Sequence, residues 1–230
     1  MVPMLESYVK RILASRVYDV AVETPLQPAA KLSARLGHEI WLKREDMQPV
    51  FSFKLRGAYN KMAQLSHEVA ARGVITASAG NHAQGVALAA KRLGLKAIIV
   101  MGRNTPSIKV DAVRAHGAKV VLFGDTYDDA SVHARELADA EQLTYIHPYD
   151  DDDVIAGQGT VGMEIVNQHP GQLDAVFVPV GGGGLIAGVA AYVKYLYPQT
   201  KVVGVEARGS HCLAAAREAG RRVRLPAAET

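Results

Sequence analysis

Cysteine is nearly absent from this 230-residue sequence, in which Cys212 is the only one. A single thiol can form neither a disulfide nor a thiolate zinc cage within the chain. Such scarcity is typical of a reducing compartment and predicts a cytoplasmic location. Excess charge is also lacking, because 26 basic and 23 acidic residues leave a formal net charge of +3. Since these charges are spread along the chain, the sequence predicts neither a nucleic-acid nor a membrane partner.

Long apolar runs are missing as well. Residues 1–17 carry four charged side chains and contain no run long enough for a signal peptide or a membrane span. They predict a plain amphipathic helix instead. The 49% hydrophobic content is nevertheless ordinary for a globular protein, so a sizeable core is available.

Short apolar runs alternate with helix-like segments over most of the chain. The predicted strands span residues 39–45, 73–77, 96–100, 118–123, 144–146, 174–180 and 201–206. The predicted helices span residues 29–36, 55–65, 83–93, 106–116, 127–141, 185–196 and 211–219, and residues 24–28 form a rigid connector. This alternation from residue 73 onwards indicates βαβ units, and therefore an α/β fold whose parallel sheets are buried on both faces.

Four consecutive aspartates, residues 150–153, separate two runs of βαβ pattern. They predict a solvated joint, and Asp153 is a candidate cap for the helix that follows. A metal site is the alternative, but consecutive aspartates point in different directions and rarely converge on one ion. The sequence therefore favours no metal.

Lys54 lies behind two phenylalanines in the stretch Val50-Phe-Ser-Phe-Lys-Leu-Arg-Gly57. We expect Lys54 between the end of a strand and the start of a helix. The helix dipole disfavours a cation at that position. An apolar, electropositive setting lowers the pKa of a lysine and favours the free amine that attacks carbonyls. The alternative is an ordinary lysine whose head reaches solvent, and taken alone this stretch favours that alternative.

Two further loops are predicted at the carboxyl ends of strands, where ligands bind in parallel α/β sheets. Residues 181–184 are four glycines ahead of a helix, an arrangement that favours a phosphate bound by backbone N–H groups. Residues 78–82, Ser-Ala-Gly-Asn-His, precede another helix and favour a carboxylate. Helix capping by Ser78 or Asn81 is compatible with that role.

The same glycines also fit a different class of enzyme. Gly182, Gly184 and Ala187 follow a predicted strand, and Glu206 ends the next one, as in the dinucleotide-binding fingerprint. Under this alternative the protein is an NAD-dependent dehydrogenase. That interpretation leaves Lys54 and residues 78–82 without a shared purpose, whereas a reactive lysine, a phosphate loop and a carboxylate loop are together the parts of a pyridoxal-phosphate enzyme.

Three segments, residues 45–60, 76–85 and 180–185, resemble the biosynthetic threonine dehydratases (threonine ammonia-lyases). These are fold type II pyridoxal-phosphate enzymes related to the tryptophan synthase β chain, and the resemblance covers essentially the whole sequence. It implies conversion of L-threonine, and of L-serine, to 2-oxobutanoate or pyruvate with release of ammonia, as the first step of isoleucine biosynthesis. It also implies pyridoxal 5'-phosphate as cofactor, an amino acid as the small-molecule substrate, and a homo-oligomer.

The resemblance assigns a role to each loop. Lys54 is the catalytic lysine that bonds the cofactor, while Phe53 and Asn81 contact the cofactor ring. The phosphate is held by Gly181, Gly182, Gly183, Gly184 and Leu185. The substrate carboxylate is received by Ser78, Gly80, Asn81 and His82. Ala79 stands where racemases of this family carry a serine that reprotonates the opposite face, so its methyl group favours elimination.

The resemblance also implies the domain organisation. Residues 67–153 form a smaller mobile domain, and residues 1–66 with 154–230 form a larger, discontinuous one. Both are three-layer α/β domains with parallel sheets. Because the family's catalytic domain continues past the point where this sequence stops, after Pro226-Ala-Ala, we expect a truncated chain whose larger domain is incomplete. Such a chain is expected to retain the cofactor weakly and to have little activity. A non-catalytic relic that keeps only the fold is a further alternative.

Overall fold

The computed structural model describes residues 2–223 and residue 225. The chain starts with α1 (Val2–Leu13), β1 (Leu26–Pro28), α2 (Ala30–Leu36) and β2 (Trp41–Lys43). Strands β1 and β2 pair antiparallel, with Leu26 opposite Lys43. The predicted connector over residues 24–28 is therefore wrong in part. Pro28 is tolerated because it ends a strand in a two-stranded sheet, where a missing N–H costs little.

The segment around Lys54 also differs from the prediction. A turn of 3-10 helix, Glu45–Met47, follows β2, and α3 (Lys54–Met62) begins at the lysine itself. Lys54 therefore does not follow a parallel strand directly. The predicted helix over residues 55–65 ends early, because Ser66 caps a separate helix, α4 (His67–Arg72), by accepting the backbone N–H of Val69.

Four parallel strands form the larger sheet. They are β3 (Val74–Ala77), β4 (Ala97–Met101), β5 (Lys119–Leu122) and β6 (Thr144–Tyr145), in the order β5-β4-β3-β6. They alternate with α5 (Asn81–Leu93), α6 (Ser107–Ala115) and α7 (Tyr127–Ala140). Every residue of β3 and β4 is buried, since α5 packs on one face and α7 on the other. The expected sheet with two covered faces is present here.

The remaining elements are α8 (Asp152–Gln168), β7 (Ala175–Pro179), α9 (Gly184–Leu196), β8 (Lys201–Val205) and α10 (Cys212–Ala219). Strands β7 and β8 pair in parallel, with Val176 opposite Val202. Val176 and Val178 are buried with residues of α8 and α9, whereas Phe177 points the other way and is 69% exposed. The predicted end of the chain after Pro226 lies outside the described residues.

Helices α8 and α9 cross with their backbones in contact. A Cβ added to Gly188 of α9 would overlap the carbonyl oxygen of Ile155 and would lie 2.8 Å from the Cα of Gly159, both on α8. A Cβ on Gly162 of α8 would lie 3.0 Å from the Cα of Val189. No larger residue fits at this crossing without moving a helix, so the glycines fix the position of α9 on α8.

The acidic run is solvated only in part, since Asp150 and Asp152 are exposed as predicted whereas Asp151 and Asp153 are half-buried and bound within the chain. The side chain of Asp151, not Asp153, caps α8 by accepting the backbone N–H groups of Asp153 at 2.9 Å and Val154 at 3.1 Å. Asp151 is the better cap because it is the last residue before the helix. Asp151 and Asp153 both contact Lys61, at 2.9 and 3.1 Å. Within residues 2–223 and 225, no group of three His, Cys, Asp or Glu is placed to hold a metal ion.

The two sheets fall on either side of the predicted domain boundary. All four strands of the larger sheet lie within residues 67–153, and β7 with β8 lies within residues 154–230. The division into a mobile and a larger domain stays a prediction. Among the described residues, no helix combines the length and the apolar character that a membrane span requires.

Candidate active site

The Lys54 amine is held at the start of α3. It donates a hydrogen bond to the carbonyl oxygen of Pro148 at 2.7 Å and lies 5.5 Å from the centre of the Phe53 ring. Burial lowers its pKa to about 8, from the ordinary value of 10.5. Near neutral pH a far larger share of this amine is unprotonated than in an exposed lysine. The environment therefore favours a nucleophilic amine over the ordinary solvated lysine that this stretch of sequence favours when taken alone.

The first turn of α3 is fixed from several sides. The hydroxyl of Ser52 accepts the N–H of Lys54 at 3.3 Å, and the side chain of Gln158 on α8 accepts the N–H of Gly57 at 3.2 Å. Helix α5 approaches so closely that a Cβ on Gly85 would lie 3.0 Å from the backbone N of Leu55. Because these contacts satisfy helix N-terminal amides and exclude larger residues, the Lys54 backbone has little freedom.

A buried network of charges lies behind the lysine. Arg56 is fully buried and forms ion pairs with Glu45 at 2.8 Å and Glu164 at 2.5 Å. Lys43 pairs with the other oxygen of Glu164 at 2.6 Å, and the Tyr18 hydroxyl donates to the first. Burial alone would lower the pKa of Arg56, but the hydrogen bonds to the two glutamates raise it overall. Sequence reasoning missed this network, which joins α3, α8 and the segment after β2.

The glycine loop, residues 181–184, needs its glycines for two different reasons. Gly183 has a φ of 90°, a conformation that side chains disfavour. Gly182 and Gly184 lie against Tyr149: a Cβ on Gly182 would overlap the tyrosine ring, and one on Gly184 would lie 2.7 Å from the tyrosine carbonyl oxygen. The loop leads into α9, whose N-terminus adds a positive dipole end. These are the features of a phosphate cradle.

The loop of residues 78–82 follows β3 and leads into α5. The Ser78 hydroxyl accepts the N–H of Gly80 at 3.2 Å, but no side chain caps α5, whose N-cap residue is Gly80. The predicted helix-capping role of Ser78 or Asn81 is therefore wrong, because the Ser78 side chain bonds inside the loop and Asn81 is already helical. The amides of the first turn of α5 thus remain suited to an anion such as a carboxylate.

His82 is buried and electrically neutral. Its Nε2 lies 3.0 Å from the carbonyl oxygen of Ile146 and donates to it, whereas Nδ1 is buried and has no hydrogen-bond partner among residues 2–223 and 225. Burial lowers the pKa of His82 to about 3, so the ring carries no charge near neutrality. A ring that stays neutral and donates to a carbonyl holds the chain in place and is not suited to general acid chemistry.

Residues 146–151, here called the linking segment, contact the three loops. The carbonyl of Ile146 accepts from His82 and, at 2.8 Å, from the hydroxyl of Thr76. The carbonyl of Pro148 accepts from Lys54, and the Tyr149 ring covers Gly182. Sequence analysis missed this segment, because two of its contacts are made by backbone carbonyls that no motif records. The predicted loops are thus brought around one stretch of chain.

Packing on a common apolar cluster also links the lysine loop to the glycine loop. Phe53 and Leu185 are both half-buried and pack on the same cluster, which includes Val161, Val176 and Val178. Their shared packing links the start of α3 to the start of α9. The distance between Lys54 and the glycine loop therefore depends on the packing of the core beneath β7.

The carboxylate of Glu206 caps α10. One oxygen accepts the N–H of Leu213 at 2.8 Å, and the other accepts the N–H of Ala214 at 2.9 Å. Although burial opposes it, these backbone hydrogen bonds lower the pKa of Glu206. Both oxygens are therefore engaged within the chain, and the dinucleotide alternative lacks the free acidic group that it requires.

Comparisons with known proteins agree with this arrangement. Residues 17–230 match the family described as "Pyridoxal-phosphate dependent enzyme". A biosynthetic L-threonine dehydratase of Burkholderia multivorans is 60% identical over 221 residues, which are 95% of this chain and 44% of that protein. A chloroplastic biosynthetic threonine dehydratase of Arabidopsis thaliana is 60% identical over 218 residues, 95% of this chain and 37% of that protein.

Solved structures give the same result for the fold. The processed form of threonine deaminase isoform 2 from Solanum lycopersicum matches with a TM-score of 0.97 and 56% identity over 99% of this chain and 62% of that one. Maize serine racemase matches with a TM-score of 0.91 and 33% identity, over 97% of this chain and 67% of that one. The chain therefore has the fold of the fold type II pyridoxal-phosphate enzymes. It spans less than half the length of the two dehydratases of Burkholderia multivorans and Arabidopsis thaliana, namely 44% and 37%.

Proposed function

Because the chain belongs to the family of pyridoxal-phosphate-dependent enzymes, we propose that it takes part in the dehydration and deamination of L-threonine, and of L-serine, to a 2-oxo acid and ammonia. The observation that carries the proposal is the half-buried Lys54 amine, whose pKa is lowered to about 8 at the start of α3. The dehydratases that are 60% identical support the substrate class. The NAD-dependent alternative is not supported.

The residues present fit pyridoxal phosphate. Gly183 adopts a backbone that favours glycine, and the position of a Cβ on Gly181 or Gly183 faces open space, so the loop has room for a phosphate. Lys54 supplies an amine for the aldehyde, and Phe53 supplies an aromatic face beside it. We propose that residues 181–185 hold the phosphate, with Phe53 and Asn81 at the ring. When bound, the cofactor supplies an electron sink for the α-carbon of an amino acid.

The chain's own groups are proposed to bind the substrate and move its proton. The N-terminus of α5, with Ser78, Gly80, Asn81 and His82, receives the substrate carboxylate through backbone N–H groups and the helix dipole. The Lys54 amine, oriented by the Pro148 carbonyl, accepts the α-proton. Ala79 offers only a methyl group on the loop, so no side chain there can return a proton to the opposite face. These features support elimination over racemisation.

Three further parts of the sequence-based prediction remain proposals. Closure of residues 67–153 over the site would exclude water from reactive species. Association into a homo-oligomer and a cytoplasmic location rest on the resemblance and on the single cysteine. Each can be measured on the whole protein, by small-angle scattering, by sedimentation and by cell fractionation.

The first experiment tests Lys54 directly. The purified chain is mixed with pyridoxal phosphate, freed of excess, and its visible absorption spectrum is recorded beside those of Lys54→Ala and Lys91→Ala. Lys91 is an exposed lysine of α5 and serves as the matched control. We expect a band of bound cofactor in the wild type and in Lys91→Ala only. An equal band in Lys54→Ala would exclude the assignment, and adding L-threonine while measuring 2-oxobutanoate then tests the reaction.

A further inference from the structure

We infer that His147 is a positioning residue, whose ring nitrogen Nδ1 shapes the linking segment so that Pro148 meets Lys54 and Tyr149 meets the glycine loop. The inference rests on the proposed function, which makes Lys54 and the glycine loop parts of one site. His147 itself contacts neither of them. It acts through the two residues that follow it.

The Nδ1 atom of His147 accepts two backbone N–H groups of its own turn. The N–H of Asp150 lies 2.8 Å away, and that of Tyr149 lies 3.3 Å away. An atom that accepts two N–H groups must carry its lone pair, so the proton of the neutral ring is on Nε2. The ring thus replaces the backbone partners that a tight turn cannot provide.

The ring of His147 also fixes the ring that covers the glycine loop. His147 and Tyr149 pack edge to face, with 4.7 Å between ring centres and an angle of 84°. The same Tyr149 ring leaves no room for a Cβ on Gly182. His147 therefore holds Tyr149 twice, by its backbone N–H and by its ring, and through it holds the edge of the glycine loop.

Pro148 passes the geometry of the turn to Lys54. Proline has a fixed φ and no N–H, so the direction of its carbonyl depends on how its neighbours are anchored. On one side the Ile146 carbonyl is anchored by Thr76 and His82. On the other side His147 holds the N–H groups of Tyr149 and Asp150, and between these anchors the Pro148 carbonyl accepts the Lys54 amine at 2.7 Å.

Protonation of His147 would open this turn, because a proton on Nδ1 removes the acceptor of both N–H groups. Burial lowers the pKa of His147 and favours the accepting form. The charged and titratable groups around the ring act in both directions: Asp150 and Asp151 favour protonation, whereas Arg135 and Arg222 oppose it. Uncharged His82 lies nearby, and Tyr145 and Tyr149 contact the ring. The turn is therefore intact near neutral pH and opens as the pH falls below the ordinary histidine range.

Two variants separate positioning from simple structural support. His147→Asn keeps a short acceptor that can bond the N–H two residues later and cannot be protonated. His147→Ala removes the acceptor. His38→Ala, at an exposed histidine after α2, is the matched control. Circular dichroism establishes that each variant is folded before further measurement.

The first readout needs no cofactor. Lys54 is labelled with a small acylating reagent across a pH series and quantified by peptide mass spectrometry, with Lys91 as internal reference. The wild type, His38→Ala and His147→Asn should show a labelling midpoint near the pKa of about 8. In His147→Ala we expect the midpoint to rise by about half a pH unit or more, because the lysine becomes better solvated. An unchanged midpoint in a folded His147→Ala overturns the inference.

The second readout is the dissociation constant for pyridoxal phosphate between pH 5 and pH 7.5. We expect His147→Ala to bind about tenfold more weakly than wild type at pH 7.5, the usual effect of losing one or two hydrogen bonds. The dissociation constant of the wild type divided by that of His147→Asn should rise as the pH falls, because only the wild type loses its acceptor by protonation. If this ratio is constant with pH, the inference is overturned. The comparison does not use His147→Ala, so it decides even if that variant does not fold. A wild type that binds no cofactor contradicts the proposed function, and the labelling midpoint then decides alone.

Discussion

The amine of Lys54 and the carbonyl oxygen of Pro148, 94 residues later in the sequence, are 2.7 Å apart. This hydrogen bond joins the start of α3 to the chain that leaves the larger sheet. Because the acceptor is a backbone oxygen, any residue at position 148 would offer it, but only a fixed backbone would offer it in this direction. The reactivity of Lys54 is therefore a property of the surrounding backbone as much as of the side chain.

Burial of Lys54 predicts a specific pH dependence of stability. In the folded chain its pKa is about 8, whereas in the unfolded chain it returns to 10.5. Between these values the unfolded chain binds more protons, so this group makes stability rise with pH from about 8 to 10.5 and imposes its full cost below pH 8. Lys54→Met should raise the free energy of unfolding at pH 7 by about 1–3 kcal/mol. Urea unfolding at several pH values measures it, and a variant that keeps the wild-type slope would contradict the prediction.

Replacing Tyr149 with alanine should restore stability to a variant of Gly182 but not to a variant of Gly183. Gly182→Ala overlaps the Tyr149 ring, and Gly183→Ala forces alanine to a φ of 90°. Each should destabilise the fold by about 1–3 kcal/mol. Adding Tyr149→Ala should recover most of the loss for Gly182→Ala, because the obstacle is gone, and none for Gly183→Ala. Double-mutant cycles from thermal unfolding provide the measurement, and equal coupling at the two positions would refute this explanation.

Glu164 is the shared partner of two buried cations. Lys43 and Arg56 both contact it, and the exposed fractions of these three side chains are 7%, 0% and 2% in the order Lys43, Arg56, Glu164. Glu164→Gln should cost about 3–5 kcal/mol, since Arg56 then keeps only its ion pair with Glu45 and the buried Lys43 amine loses its ion pair. Lys43→Met added to Glu164→Gln should recover part of that loss. Denaturant titration of the four proteins decides, and a double variant less stable than Glu164→Gln would rule the account out.

Phe51 is strained, with a φ of 56° and a side chain that is 76% exposed. Phe51→Gly should stabilise the fold by about 0.5–1 kcal/mol, because glycine adopts this conformation freely and little burial is lost. Phe51→Ala removes the ring but keeps a Cβ, so it isolates the backbone contribution and should not stabilise. Thermal unfolding of both variants tests this, and the idea fails if they are equally stable.

The two central strands of the larger sheet, β3 and β4, were predictable because they are short, wholly buried and almost entirely apolar. Residues 74–77 and 97–101 are buried throughout, and Thr76 is the one polar residue among them. The glycine loop was predictable for a related reason, since a backbone that touches a tyrosine ring excludes every other residue. Strand β1 was missed because it has only three residues, ends in proline and exposes two of the three to solvent, so it carries no such pattern.

The rest of the site depends on partners far away in the sequence. Arg56 stands in an ordinary-looking helix, and nothing local shows that its second carboxylate comes from Glu164, 108 residues later. The linking segment was missed because its carbonyls of Ile146 and Pro148 bond as any carbonyl would. Only the side chains of His147 and Asp151, which accept N–H groups two and three residues later, offered a local clue. The roles proposed for Lys54 and the three loops await measurement.

The contact between α8 and α9 has a consequence for how the site can change over evolution. Gly188 meets Gly159 one helical turn after Gly184, where the glycine loop ends. A larger residue at this crossing would push α9 outward and carry the loop with it. Variation in phosphate affinity is therefore expected from positions that never approach the ligand. A directed-evolution library meant to tune the affinity for the cofactor should include the positions at which α9 crosses α8.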